Sequence, residues 1–76
     1  MLDKHQRQAV LDLVAESLRH PLDAVQQRRL RTLVAHELPR FAKAPWDEVL
    51  YTATFLVGVW DRTGALDKDV ETEAEA

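Results

Sequence analysis

Residues 45–64 read PWDEVLYTATFLVGVWDRTG, and this stretch decides the fold. Pro45 suits the start of a helix, because the amide that proline lacks needs no partner there. Two acidic residues follow in the first turn, where the helix dipole favours negative charge. Gly64 readily adopts the left-handed conformation that ends many helices. The stretch therefore predicts a helix over about residues 45–62 that stops just before this glycine.

This predicted third helix carries apolar residues on two opposite sides. At 100° per residue, one continuous stripe contains Trp46, Val49, Leu50, Ala53, Leu56, Val57 and Trp60. The opposite side carries a second apolar set, namely Tyr51, Phe55, Gly58 and Val59, and its charged residues are Glu48 and Arg62. A helix in a simple three-helix bundle buries one broad arc, so the second set needs its own explanation.

Two explanations of this second set are open. Either the third helix is sandwiched between the other two, or the set forms an interface with something outside the chain. Monomers rarely expose contiguous patches with two large aromatic residues, which favours an interface. Close approach of another backbone would explain Gly58, which costs roughly 1 kcal/mol in a helix, although a glycine near a helix end is also simply tolerated. Two-fold homodimers are the commonest assemblies, so we expect the third helix to pack against its own copy.

The first helix is predicted over about residues 3–19. Asp3 is a good helix cap, and Gln6 stands three residues later in the capping-box position. Apolar residues then recur at helical spacing. Pro21 pushes the residue before it out of helical geometry, which ends the helix.

The second helix is predicted over about residues 22–38. Its start is open between Pro21, which suits a first helical position, and Asp23, which again has a glutamine three residues later. Pro39 stops it. A short connector follows, in which we expect Phe41 to fold back onto the core.

These elements predict an all-α, three-helix, bundle-like domain over residues 1–66. Residues 67–76 read DKDVETEAEA, which is acidic and poor in apolar side chains, and predict a flexible, disordered tail. A single domain of this size buries only roughly 60% of the surface that its unfolded chain exposes. Such domains often gain stability from another chain, and with no cysteine in the sequence a disulfide is excluded.

The charge is unevenly distributed along the 76 residues. Residues 1–45 carry eight basic and five acidic side chains, whereas residues 46–76 carry two and eight, and the net charge is −3. Long-range attraction of nucleic acid by the whole molecule is therefore disfavoured. The absence of cysteine and the polar first residues predict a cytoplasmic protein. The preference for arginine over lysine is typical of bacterial or phage proteins.

A basic cluster offers the alternative function, a small nucleic-acid-binding regulator. The candidate contacts to nucleic acid, or to an acidic partner surface, are Arg28, Arg29, Arg31, Arg40 and Lys43. Arginine suits phosphate and guanine, and a helix after a short turn is typical of helix-turn-helix readers. In helical projection, however, the arginines lie around the apolar stripe of the second helix and do not form one ridge. A solvated helix face is the simpler interpretation.

The sequence carries no recognisable catalytic, cofactor or metal-binding motif. Its three histidines, at positions 5, 20 and 36, are far apart, whereas a zinc site needs three or four converging ligands. Two isolated glycines cannot build a phosphate-binding loop. The third helix, with about 15 apolar-rich residues, would span roughly 22 Å, less than the ~30 Å hydrocarbon core of a membrane. We therefore expect a non-enzymatic protein–protein interaction module of regulatory or adaptor type, with no cofactor and no membrane insertion.

Overall fold

The computed structural model describes residues 2–66, and within that range the chain is helical with no strand. The three α-helices are α1 (Lys4–Ser17), α2 (Ala24–Glu37) and α3 (Trp46–Thr63). A short 3₁₀ helix, Pro39–Lys43, connects α2 to α3. The predicted all-α, three-helix architecture is confirmed. The predicted disordered tail, residues 67–76, lies outside the described residues.

The first two helices begin in the same way. Asp3 and Asp23 each accept a hydrogen bond at 2.8 Å from the amide three residues later. The glutamine at that position bonds back to the amide of the aspartate, which completes a capping box. Asp23 has extended backbone geometry, so of the two predicted starting points for α2 it is the aspartate that caps the helix. The leucine before each aspartate is buried in the core.

The first two helices, α1 and α2, are slightly shorter than the sequence predicts. After Ser17 the amides of Leu18 and Arg19 bond three residues back, which tightens the last turn before the chain extends at Pro21. The end of α3 follows the prediction closely, since Gly64 adopts a left-handed conformation with φ of 77°.

A single core lies between the three helices. Each helix contributes to it, and both α1 and α2 pack against α3. Its buried residues are Leu2, Val10, Val14, Leu22, Leu30, Val34, Phe41, Val49, Ala53 and Trp60. Phe41 lies against this core from the 3₁₀ helix, as the sequence predicts. The carboxylate of Glu37 accepts a hydrogen bond from the amide of Leu2 at 3.1 Å, which ties the start of α1 to the end of α2.

Candidate functional site

The side of α3 that faces away from the core is called here the outer face, and it comprises Glu48, Tyr51, Phe55, Gly58, Val59 and Arg62. Tyr51 is 74% exposed and Phe55 57% exposed, whereas Val59 and Gly58 are half-buried. Both α1 and α2 pack against α3, yet they leave these two aromatic rings uncovered. The sandwich explanation is therefore wrong for residues 2–66.

An apolar groove of about 400 Å³ runs along one flank of the outer face. Tyr51 and Phe55 both line it. Its other lining residues are Leu38, Arg40, Phe41, Thr52 and Leu56. The groove exists because Pro39 ends α2 and turns the chain into the 3₁₀ helix, which lays Leu38 and Phe41 beside the middle of α3.

Arg40 gives this groove a charged rim. Its guanidinium carbon lies 5.0 Å from the centroid of the Phe41 ring, within the range of a cation–π contact. Arg40 also lines a second hollow of about 300 Å³, together with Phe41, Ala44 and Glu48. A positive and a negative side chain therefore flank the end of the groove nearest the start of α3.

Gly58 has no structural requirement within the described chain. A Cβ atom built at this position would meet the Nη1 atom of Arg62 at 3.8 Å, an ordinary van der Waals distance. The backbone there is regular helix, and the one glycine with positive φ among residues 2–66 is Gly64. Because glycine costs roughly 1 kcal/mol in a helix relative to alanine, the reason for Gly58 has to be sought outside this fold or in simple tolerance.

The basic residues proposed for nucleic acid or an acidic partner have different surroundings. Arg28, Arg29 and Lys43 are exposed. Arg29 lines a hollow between α1 and α2 beside Asp12, away from the 3₁₀ helix that carries Lys43. The Nη1 atom of Arg31 donates to the backbone carbonyls of Phe41, Ala42 and Ala44, so this side chain supports the connector.

Arg40 therefore lines the groove, whereas Arg31 stabilises the fold. Sequence reasoning also missed four residues that line the groove: Leu38, Phe41, Thr52 and Leu56. The available signal was the expectation that Phe41 folds back onto the core, which places the connector next to α3. The sequence did not indicate on which flank of α3 the connector would lie.

Residues 2–66 contain neither a candidate metal site nor a candidate membrane span. No three His, Cys, Asp or Glu side chains among them are grouped to hold a metal ion. The side chains of Glu16 and His20 are in contact, and the other ring nitrogen of His20 lies 2.9 Å from the carbonyl of Pro21. None of the three α-helices is long and apolar enough to cross a bilayer.

The chain matches no protein-family model, no curated protein and no solved structure. The functional assignment therefore depends on the geometry of the outer face and the groove beside it.

Proposed function

We propose that this protein is a cytoplasmic, non-enzymatic protein–protein interaction module of regulatory or adaptor type that self-associates through the outer face of α3. One observation carries the proposal: the exposed rings of Tyr51 and Phe55 line an apolar groove together with Leu38 and Phe41. Aromatic side chains next to apolar pockets are typical of the residues that dominate binding energy in protein interfaces.

The energetics support association. Burial of a large apolar side chain contributes roughly 1.5–3 kcal/mol, so covering Tyr51 and Phe55 on two copies would offset part of the entropic cost of dimerisation. A chain of 76 residues has a small core, and a dimer would add apolar burial that the monomer lacks. Self-association would therefore stabilise the fold as well as hide an exposed patch.

The test is the molar mass in solution, measured by light scattering after size-exclusion chromatography over a range of protein concentrations. The native chain is expected to be a dimer. Phe55→Glu is expected to be a folded monomer, because a charge would replace the central ring of the interface. Val25→Glu is the matched control, since Val25 is 70% exposed on α2 and its substitution should leave the dimer intact.

Each result has a distinct meaning. A native chain that stays monomeric at the highest concentration would overturn self-association. A dimer that Val25→Glu dissociates and Phe55→Glu does not would move the interface away from α3. Circular dichroism of each variant shows whether a loss of mass reflects dissociation or unfolding.

A further inference from the structure

The charges on the outer face are placed symmetrically about Phe55. Glu48 lies seven residues before it and Arg62 seven residues after it, so each is about 10 Å from Phe55 along the helix axis. Seven residues rotate about 20° less than two full helical turns. The three side chains therefore lie nearly in line along one side of the helix. Both charged residues are exposed, and no ion pair joins either of them to another residue within 2–66.

We infer that a second copy of this chain packs its α3 antiparallel to the first, on a two-fold axis that passes beside Phe55. This inference rests on the proposed self-association and adds its register. In that register Glu48 faces Arg62 of the second copy, and Tyr51 faces Gly58 of the second copy. The two Phe55 rings meet at the centre.

Charge complementarity selects the antiparallel arrangement. A parallel pair in register would set Glu48 against Glu48 and Arg62 against Arg62, and such like-charge contacts are unfavourable. The antiparallel pair instead forms two opposite-charge contacts per dimer, one at each end of an apolar centre. An apolar core with a polar rim is the usual anatomy of a protein interface.

Gly58 fits the same register. It faces Tyr51 of the second copy, so a residue without a side chain lies opposite a large ring. Packed helices lie about 8–10 Å apart, at the lower end where small side chains meet. Close approach at this position supplies the reason for Gly58 that the described chain lacks. The groove beside Thr52 and Leu56 leaves room for the Phe55 ring of the second copy.

Charge reversal tests the register directly. Glu48→Arg and Arg62→Glu each place like charges together at both ends of the dimer, and each is expected to raise the dimer Kd at least about tenfold. The double variant Glu48→Arg/Arg62→Glu restores both pairs and should return Kd to within about threefold of the native value. Asp61→Arg is the matched control, because Asp61 is an exposed acid on α3 outside the outer face, and Kd should stay nearly unchanged.

The outcomes separate the register from the proposed function. If Phe55→Glu dissociates the dimer but both single charge reversals leave Kd unchanged, the register is wrong and self-association through α3 stands. If the single variants weaken the dimer and the double variant does not recover it, the proposed pairing is likewise overturned. A native chain that never dimerises removes both the register and the proposed function.

Cross-linking gives a second test that does not depend on affinity. The sequence has no cysteine, so each introduced thiol is unique. With a short bis-maleimide reagent, a mixture of Glu48→Cys and Arg62→Cys chains should form a covalent heterodimer, whereas Glu48→Cys alone should remain uncoupled. Efficient coupling of Glu48→Cys to itself would show a parallel arrangement and overturn the inference.

Discussion

The guanidinium of Arg31, on α2, donates a hydrogen bond to the backbone carbonyl of Ala44, 13 residues later in the chain. The same nitrogen lies 3.4 Å from the carbonyls of Phe41 and Ala42. These carbonyls lie at the end of the 3₁₀ helix and just beyond it, where helical backbone groups lack partners within the helix. Arg31 thus holds the connector against α2, and through the connector it positions Phe41 in the groove.

Removal of this side chain should weaken the fold. Arg31→Ala is expected to lower the free energy of unfolding by about 1–2 kcal/mol, because a partly buried, charge-assisted hydrogen-bond donor is lost. Arg28→Ala is the control, since the exposed Arg28 lies one turn earlier on α2, and it should change stability by less than about 0.5 kcal/mol. Urea denaturation at fixed protein concentration measures both. Equal effects of the two substitutions would contradict a structural role for Arg31.

The core of α2 provides a contrast between buried and exposed positions. Leu30 is fully buried, and Leu30→Ala is expected to cost about 2–5 kcal/mol through lost apolar burial and a residual cavity. For a domain of this size, a loss in that range approaches the total stability. Val25→Ala, on the exposed side of the same helix, should cost less than about 0.5 kcal/mol. Thermal denaturation followed by circular dichroism distinguishes them, and a mild Leu30→Ala phenotype would contradict the packing described above.

The hydrogen bond from His20 to the carbonyl of Pro21 raises the pKa of this histidine, and the carboxylate of Glu16 raises it further. Protonated His20 donates from both ring nitrogens, so the folded state favours the charged form. The stabilisation is fully present below the pKa of the unfolded chain, about 6.5, and is lost as the pH rises through the higher folded-state pKa.

An NMR titration of the His20 ring should therefore give a pKa above the ordinary histidine value. Glu16→Gln should lower the pKa of His20, because it removes a negative partner. Asp12→Asn, which changes an exposed acid one turn earlier on α1, should leave the His20 titration nearly unaltered. A titration curve that ignores Glu16→Gln would show that the Glu16–His20 contact does not form in solution.

A binding titration tests the nucleic-acid alternative. Arg31 is engaged with backbone carbonyls, and Arg29 and Arg40 line different hollows of the surface. We therefore expect no binding in an electrophoretic mobility titration with double-stranded DNA or single-stranded RNA. This should hold even at low salt, where phosphate binding is strongest. Micromolar binding that falls steeply with salt and disappears in the Arg28→Ala/Lys43→Ala double variant would favour the alternative.

Local sequence patterns predicted the helix ends because the forces that set them act over a few residues. The capping boxes at Asp3 and Asp23 and the left-handed stop at Gly64 all follow from neighbours within one turn. The helical periodicity also assigned the two sides of α3 correctly, with Val49, Ala53 and Trp60 buried. The same Leu-Asp-x-x-Gln pattern begins both α1 and α2 in the sequence. In the structure both copies form a capping box and bury the leucine.

The tertiary structure decided what local patterns leave open. The amphipathic pattern of α3 is the same whether its outer face is sandwiched or exposed, and only the placement of α1 and α2 on one side leaves Tyr51 uncovered. The groove needs Leu38 and Phe41 to meet Phe55, more than ten residues away in the chain. The sequence made Arg31 a candidate binding residue. Its structural role, as a donor to backbone carbonyls, depends on the same placement of the connector. Such contacts depend on the packing of whole elements, which no short stretch of sequence determines.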